Sequence, residues 1–333
     1  MGVATSLLAF AVAAAVSLGT SWFLVSRLER IGERLGSSEA LLGLLAALAA
    51  NTPEITSSVT ALAHHQRDVG AGVIIGSNVF NLAALLGIGA IVARRIDLHR
   101  RVVVLAGSVA MWMAVVCLGS IAGTVPPGIG LAACCVVFVP YVAELAAPKA
   151  RRRALPLPHR WTLWLSTAVD EEELELDAAI RPRSGRGIDV VVAMLSLVVV
   201  VAASIVMERT ATTVGTHYSI PPIVLGGIVL AAVTSLPNAV AAIYLAARGR
   251  GAAMLSTALN SNSLNVVVGL LLPAVVLGIA PPTGPSGLVA GWYVGLTLVT
   301  VVLAFAGRGL RRPAGWLIVA LYGAFVVALL AVT

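Results

Sequence analysis

Charged side chains are scarce in this sequence: they make up 11% of its 333 residues, against 59% for hydrophobic ones. Soluble domains are about 25% charged, so this composition excludes a water-facing fold. Cysteine is scarce too, and its three copies, Cys117, Cys134 and Cys135, all lie inside apolar runs. Because they lack polar neighbours, they predict neither a disulfide framework nor a sulfur-ligated metal site.

Long apolar runs occupy most of the chain. A helix that crosses a membrane needs about 20 apolar residues, and ten such runs can be recognised. They are centred near Ala14, Ala50, Phe80, Ala110, Val136, Val198, Ala232, Val266, Thr297 and Leu321. The sequence therefore predicts an all-α membrane protein with ten transmembrane helices.

The basic residues are distributed unevenly over the loops between these runs. If the N-terminus lies outside, all but Arg67 and Arg209 of the 22 Lys and Arg fall on the inner side. The positive-inside rule then predicts both termini outside and a cytoplasmic central loop, in a plasma or inner membrane. This placement also accounts for the net charge of +7 without nucleic acid as a partner.

The central loop, residues 147–187, is the one long hydrophilic segment and separates the predicted repeats, residues 1–146 and 188–333. It carries an acidic run of Asp170, Glu171, Glu172, Glu173, Glu175 and Asp177. The run lacks the alternating Asp/Asn ligands and central Gly of a calcium-binding loop. A solvated linker is therefore expected, rather than a regulatory cation sensor.

Two polar motifs recur at a constant offset of 184 residues. GLLAALAANTPE (43–54) matches GIVLAAVTSLPN (227–238), and GSNVFN (76–81) matches NSNSLN (260–265). Five spans per half is an odd number, so the second half enters from the opposite side and the repeats are predicted to be inverted. Pro53 and Pro237 lie deep in their spans, where proline frees backbone carbonyls and interrupts a helix at the midplane.

Glu54 lies about 15 residues into its span, near the bilayer centre. An ionisable residue at that depth usually marks an ion or proton path, although a protonated structural glutamate is the alternative. The nearby Asn and Ser side chains likewise have an alternative role, hydrogen bonding between helices. Placed as paired motifs beside Glu54, they instead predict cation ligands. The predicted ligand set is Glu54, Asn51, Ser77, Asn78, Asn81, Thr234, Ser235, Asn238, Ser261, Asn262 and Asn265.

These motifs resemble the alpha-repeats of the sodium/calcium exchanger family, within the cation/calcium antiporters. ANTPEI (50–55) and GSNVFNLAALLG (76–87) are close to the family pattern; TSLPN (234–238) and NSNSLN follow it in part. The resemblance implies that two acidic residues, one per repeat, embrace calcium. Glu54 matches the first, whereas Asn238 occupies the second position and is neutral. Ala50 also replaces a usual hydroxyl, while Asn51 is similar to the Asn of proton-coupled relatives.

The resemblance implies a secondary-active cation antiporter that moves Ca²⁺ or a related cation against Na⁺ or H⁺ by alternating access. The alternative is a monovalent Na⁺(K⁺)/H⁺ antiporter without Ca²⁺ transport, because one carboxylate neutralises one monovalent cation. The sequence contains no HExxH motif, the zinc-binding pattern that would favour an enzyme. A channel would differ from an antiporter in that its ion flux does not saturate. We expect inorganic cations and the lipid bilayer as partners, with no cofactor and no obligate protein partner.

Overall fold

The structure is a computed structural model that describes residues 2–34, 47–146, 159–177, 187–247 and 253–333. Within these ranges the chain forms twelve helices, which we label α1 to α12, a further helical stretch at residues 47–50, and one two-stranded ribbon. The helices are α1 (Val3–Arg34), α2 (Thr52–Ala63), α3 (Arg67–Ala93), α4 (Arg100–Ile121), α5 (Pro127–Ala146), α6 (His159–Asp177), α7 (Gly187–His217), α8 (Pro222–Thr234), α9 (Leu236–Ala247), α10 (from Ala253 to Leu277), α11 (Gly284–Gly307) and α12 (Arg312–Val332).

The distribution of polarity is that of a protein embedded in lipid. Eight helices of the described part are long and apolar enough to cross a membrane: α1, α3, α4, α5, α7, α10, α11 and α12. Large apolar side chains such as Val136 and Val276 point outward, 73% and 85% exposed, while many Ser, Thr and Asn side chains are buried. Since lipid replaces water around apolar surface, this is an integral membrane protein of predominantly helical fold.

The two other predicted spans, centred near Ala50 and Ala232, are built from shorter pieces. In the second, α8 ends at Thr234 and α9 begins at Leu236, with Ser235 between them. In the first, residues 47–50 are helical and α2 begins at Thr52, with Asn51 between them. The part of that span before residue 47 lies outside the described residues.

α3 is the central helix of the assembly and packs against α2, α8, α10 and α11. Of all the candidate spans it is the most deeply buried. By contrast, α1 and α7 pack chiefly against each other, and Arg27 of α1 pairs with Asp189 of α7 at 2.6 Å. The residues that carry the repeated motifs therefore lie inside the protein, while α1 and α7 flank them.

Three π-helical segments interrupt the regular helices, and hydropathy did not predict them. They span Leu82–Ile88 in α3, Leu225–Leu230 in α8 and Asn265–Leu271 in α10. The first and third lie at nearly equivalent positions of the two repeats and follow or begin at the repeated asparagines Asn81 and Asn265. π-Helical turns are rare and often occur beside functional sites.

Two turns that carry several arginines pair as a short two-stranded ribbon, which the all-α prediction did not include. Strand β1 (Arg95–Asp97) pairs antiparallel with β2 (Gly309–Arg311). Gly309 has φ +128°, and a Cβ there would overlap the Ile96 carbonyl oxygen, so only glycine fits. The ribbon thereby brings basic residues of two predicted inner loops together.

The expectation of a solvated linker between the repeats was wrong for its described part. Residues 159–177 form α6, which packs against α4 and α10, and Thr162, Ala168 and Val169 are buried. Leu165, Ala168 and Val169 follow i, i+3, i+4 spacing, so they form an apolar face ahead of the acidic run. Arg101 Nη1 also forms an ion pair with Glu171 Oε1, at 3.0 Å. The side chains of residues 172–177 lie outside the described ones.

Candidate cation-binding site

The two helix breaks have the same backbone geometry and lie 184 residues apart. Asn51 has φ −83° and ψ −2°, and Ser235 has φ −86° and ψ −1°. Each is followed two residues later by proline, Pro53 or Pro237, which has no N–H to donate to the carbonyl four residues earlier. The breaks thus leave polar backbone inside the protein, directly beside the side chains of the repeated motifs.

Glu54 is completely buried beside both breaks. Its Oε1 accepts hydrogen bonds from Ser235 Oγ at 2.9 Å and from Asn238 Nδ2 at 3.2 Å. Its Oε2 has no hydrogen-bond partner among the described residues. One carboxylate oxygen is therefore held by the other repeat, while the second remains available to a cation or proton.

Asn51 and Ser261 form a second link between the repeats. Ser261 Oγ donates to Asn51 Oδ1 at 2.6 Å, and Asn51 Nδ2 donates to the Ser261 carbonyl oxygen at 2.9 Å. Asn238 Nδ2 also donates to Asn51 Oδ1, at 3.0 Å. These contacts occupy the polar atoms of Asn51, so in this conformation it orients Asn238 and Ser261 beside Glu54.

Four asparagines of α3 and α10 meet in a reciprocal arrangement. Asn78 Nδ2 donates to the Asn262 carbonyl oxygen at 3.1 Å, and Asn262 Nδ2 donates to the Asn78 carbonyl oxygen at 3.0 Å. Asn81 Nδ2 donates to Asn262 Oδ1 at 3.2 Å, and Asn265 Nδ2 donates to Asn78 Oδ1 at 3.0 Å. Each bond has a counterpart shifted by 184 residues, so the repeats are related by approximate two-fold symmetry at this point.

Several buried oxygens around this cluster have no partner in the part of the chain that the structure describes. Besides Glu54 Oε2, they are Ser57 Oγ, Ser77 Oγ, Asn81 Oδ1 and Asn265 Oδ1. Buried polar groups without partners are costly unless something else satisfies them. Carboxylate, amide and hydroxyl oxygens are the ligands that hard cations such as Na⁺ and Ca²⁺ prefer.

The structure brings nine of the eleven predicted ligands into two hydrogen-bonded groups, one around Glu54 and Asn51 and one formed by the four asparagines. Ser77 is buried next to Asn78 in the sequence, and its hydroxyl has no partner among the described residues. Thr234 differs: its hydroxyl donates to carbonyl oxygens of its own helix, Leu230 and Ala231, at 2.8 and 3.3 Å. Conversely, Ser57 was missed in the sequence, although it lies one turn beyond Glu54 at i+3 and shares its face. Whether any of these atoms binds a cation stays a prediction.

The electrostatics of the cluster depend on a single acid. Glu54 is its one carboxylate, and the described residues contain no group of three or more His, Cys, Asp or Glu placed to hold a metal ion. Asn238, at the position equivalent to Glu54, contributes an amide and no charge. A bare monovalent cation would be neutralised by Glu54, whereas a divalent ion would keep a net positive charge in a region of low dielectric.

A buried carboxylate with open oxygens between two broken helices of a membrane protein is the kind of site that cation transporters use. A family model described as "Sodium/calcium exchanger protein" matches residues 5–147 and 188–331. The chain therefore belongs to the sodium/calcium exchanger family, a family of cation transporters, and the resemblance predicted from its motifs is confirmed.

Individual proteins are also similar to this chain. The inner membrane protein YrbG of Escherichia coli (strain K12) is 26% identical over 307 residues, which are 88% of this chain and 86% of YrbG. Human Sodium/potassium/calcium exchanger 4 is 42% identical over 67 residues, which are 20% of this chain and 11% of that exchanger.

Solved structures share the fold. The H⁺/Ca²⁺ exchanger CAX matches 98% of this chain and 87% of its own, with a TM-score of 0.69 and 11% identity. The sodium-calcium exchanger NCX_Mj matches 98% of this chain and 99% of its own, with a TM-score of 0.63 and 20% identity.

Proposed function

We propose that this protein is a secondary-active cation antiporter that binds its transported ion at Glu54, between two inverted five-helix repeats that together provide ten spans. The observation that carries the proposal is the unpartnered Oε2 of Glu54, which is fully buried between the two breaks. In the proposed orientation both termini lie outside and the central loop is cytoplasmic. Alternating access would expose the Glu54 cluster first to one side and then to the other.

The transported ion is proposed to be Ca²⁺ or a related cation, exchanged against Na⁺ or H⁺. Family membership supports this pairing, and neutral oxygens such as those of Asn81 and Asn265 would complete the coordination that one carboxylate begins. Because Ca²⁺ usually binds through several carboxylates, we expect weak calcium affinity.

A monovalent Na⁺(K⁺)/H⁺ antiporter is the second candidate, and one observation favours it. Asn238 donates a hydrogen bond to Glu54 Oε1 at 3.2 Å where a second acid would bring another negative charge. The pair thus carries a single charge, which matches one Na⁺, K⁺ or H⁺ at a time.

Flux measurements on the purified protein in liposomes test both candidates. Imposed Na⁺, K⁺ and H⁺ gradients would be combined with radioactive Ca²⁺ and an internal pH dye. Gradient-driven Ca²⁺ uptake supports the first candidate; cation-driven pH change without Ca²⁺ uptake supports the second. Flux that does not saturate and is not stimulated by a counter-ion would indicate a channel and contradict both.

A further inference from the structure

A cavity of about 310 Å³ opens at the end of the protein opposite the arginine-rich ribbon. The turn between α2 and α3, the end of α7 and the beginning of α8 enclose it. Its polar lining consists of His65, Gln66, Arg67, Asp68, Thr212 and Thr216. In the proposed orientation this is the outer face, so the cavity is open to the outer solution.

Glu208 of α7 lies behind the wall of this cavity and is 1% exposed. Its Oε1 contacts Thr212 Oγ1 at 3.1 Å, and Thr212 Oγ1 contacts Gln66 Oε1 at 2.9 Å. Its Oε2 has no hydrogen-bond partner in the described ranges. A glutamate this deeply buried is normally paired, so its open oxygen indicates a missing ligand.

The contacts of Thr212 strengthen this indication. A hydroxyl has one hydrogen to donate, yet Thr212 Oγ1 faces two oxygen atoms, one from Gln66 and one from Glu208. Turning the Gln66 amide would supply a donor to Thr212, but it would leave Glu208 Oε2 without a partner. A cation held between Gln66 Oε1 and Glu208 would coordinate both acceptors and leave the Thr212 hydroxyl to donate to either one.

Two arginines lie near these acids and form no ion pair with them in the described structure, although the charge of Arg209 still acts on Glu208. Asp68, on the cavity wall, also has an unpartnered oxygen, Oδ1. Arg67 does not pair with it within the described structure: its guanidinium lies against the backbone of Gly278. Arg209 instead contacts His64 Nε2 at 3.1 Å.

One face of α2 connects this region to the buried cluster. Glu54, Ser57 and Ala61 are spaced i, i+3, i+7 and share that face. Ala61 belongs to an apolar cluster with Met207 and Ala211 of α7, the neighbours of Glu208 and Thr212 in sequence. Ser57 Oγ, buried and unpartnered among the described residues, therefore lies between the Glu54 level and the Glu208 level.

We propose that Glu208, linked to Thr212 and Gln66, forms with Asp68 on the cavity wall a second binding site for small inorganic cations, which takes the ion from the outer solution before it reaches Glu54. The inference rests on the proposed function for its place in transport. The chemistry of the site itself rests on the contacts of Thr212 with Glu208 and Gln66, and on the open oxygens of Glu208 and Asp68.

Sided kinetics test the proposal, because an outer site affects uptake from one side. In right-side-out and inverted vesicles containing the full chain, initial exchange rates would be measured against the concentration of radioactive Na⁺ or Ca²⁺. For Glu208→Gln, the half-saturating concentration at the outer face should rise about tenfold. The half-saturating concentration at the inner face should change by less than about twofold, and so should the maximal rate. Thr212→Val should produce a smaller shift in the same direction.

Thr213→Val is the matched control, since Thr213 is exposed and, within the described ranges, its hydroxyl bonds to the Arg209 carbonyl oxygen alone. It should leave both faces unchanged. An unchanged outer value in Glu208→Gln overturns the proposal, as does an equal change at both faces or a lowered maximal rate, which indicates a structural role. If Glu208→Gln does not fold, Thr212→Val decides on the same criteria.

A transport-independent measurement separates this inference from the proposed function. In detergent, Na⁺ or Ca²⁺ should still raise the melting temperature of Glu54→Gln, and the added Glu208→Gln substitution should abolish that residual increase. No residual increase in Glu54→Gln overturns the second site. Wild-type protein that moves no cation in liposomes contradicts the proposed function alone, and the melting experiment still decides on Glu208.

Discussion

Glu54 shares its buried surroundings with amides and hydroxyls, and Asn238 faces it where a second acid would stand. The carboxylate is kept in place by neutral donors, Ser235 and Asn238, which stabilise its charge without cancelling it. An unpaired charge in the membrane interior costs about 3 kcal/mol or more. Binding a cation or a proton would remove that cost.

Replacing Glu54 by Gln should reduce transport to background while the protein remains folded. The Gln side chain keeps the size of Glu and can still accept from Ser235, but it cannot neutralise a bound cation. Exchange in liposomes and monodispersity in detergent would be measured together. Asp97→Asn is the control, because Asp97 is exposed and pairs locally with Arg95. Wild-type rates in Glu54→Gln would mean that the ion path lies elsewhere.

Introducing an acid at Asn238 should tighten calcium binding. Two carboxylates would face the ion, and pairing at an effective dielectric near 20 contributes up to about 4 kcal/mol at 4 Å. Desolvation of the added acid offsets part of this, so Asn238→Glu or Asn238→Asp should bind Ca²⁺ about 10 to 100 times more tightly.

Calcium competition against the transported cation measures this effect, and Asn238→Gln controls for changes of size without charge. Submicromolar calcium binding by the wild type, without a gain in Asn238→Glu, would show that neutral oxygens suffice. The limit on divalent binding would then not be the missing charge.

At the scale of the elements, α3 and α8 approach each other backbone to backbone. A Cβ at Gly76 would overlap the Gly227 carbonyl oxygen, and one at Gly226 would overlap the Val69 carbonyl oxygen. Small residues permit such close crossings in membranes, where packing rather than water drives association. The crossing fixes the position of Ser77 and Asn78 against the second repeat.

Gly76→Ala should therefore lower the melting temperature and reduce transport. Relieving the overlap requires α3 and α8 to separate, and overpacking of this kind costs about 1–3 kcal/mol. Melting in detergent, followed by chromatography, would measure the loss. Gly295→Ala in α11 is the matched control, since no atom lies within 4 Å of a Cβ there. Equal melting temperatures for the two variants would contradict the close crossing.

The repeats also show which features of the site the sequence could predict and which it could not. The 184-residue offset predicted that Glu54 would face Asn238, and the two side chains are hydrogen-bonded. Asn81 and Asn265 do not bond to each other: each bonds to an asparagine of the other repeat, Asn262 or Asn78. The offset could not predict which oxygens stay open. Ser261 and Ser77 are equivalent, yet Ser261 Oγ bonds to Asn51 while Ser77 Oγ has no partner in the described chain.

At the scale of the whole molecule, the breaks and the ribbon explain what hydropathy could and could not predict. Apolar length alone predicted the eight long spans. It did not predict the π-helical segments, since in a run that is apolar all round no polar stripe marks a change of period. Nor did it predict the β1–β2 ribbon, which pairs residues more than 200 positions apart in the chain.

The proposed orientation predicts which loops can be labelled from outside. In a variant lacking the three native cysteines, Thr124→Cys, in the turn after α4, should react with a membrane-impermeant maleimide on intact cells. Asp97→Cys, at the opposite end of α4, should react only after permeabilisation, because the positive-inside rule places the arginine-rich ribbon in the cytoplasm. The reverse pattern would invert the assignment of outer and inner faces.

The reciprocal hydrogen bonds of Asn78 and Asn262 make the contact between the repeats isologous, in the sense used for C2 homodimers. In a dimer of identical subunits, every residue near the axis occurs twice, so such a site could contain two glutamates or two asparagines. A covalently joined pair is free of that restriction. Because the two repeats lie in one chain and differ in sequence, Glu54 can face Asn238, which gives a nearly two-fold symmetric frame an odd number of charges.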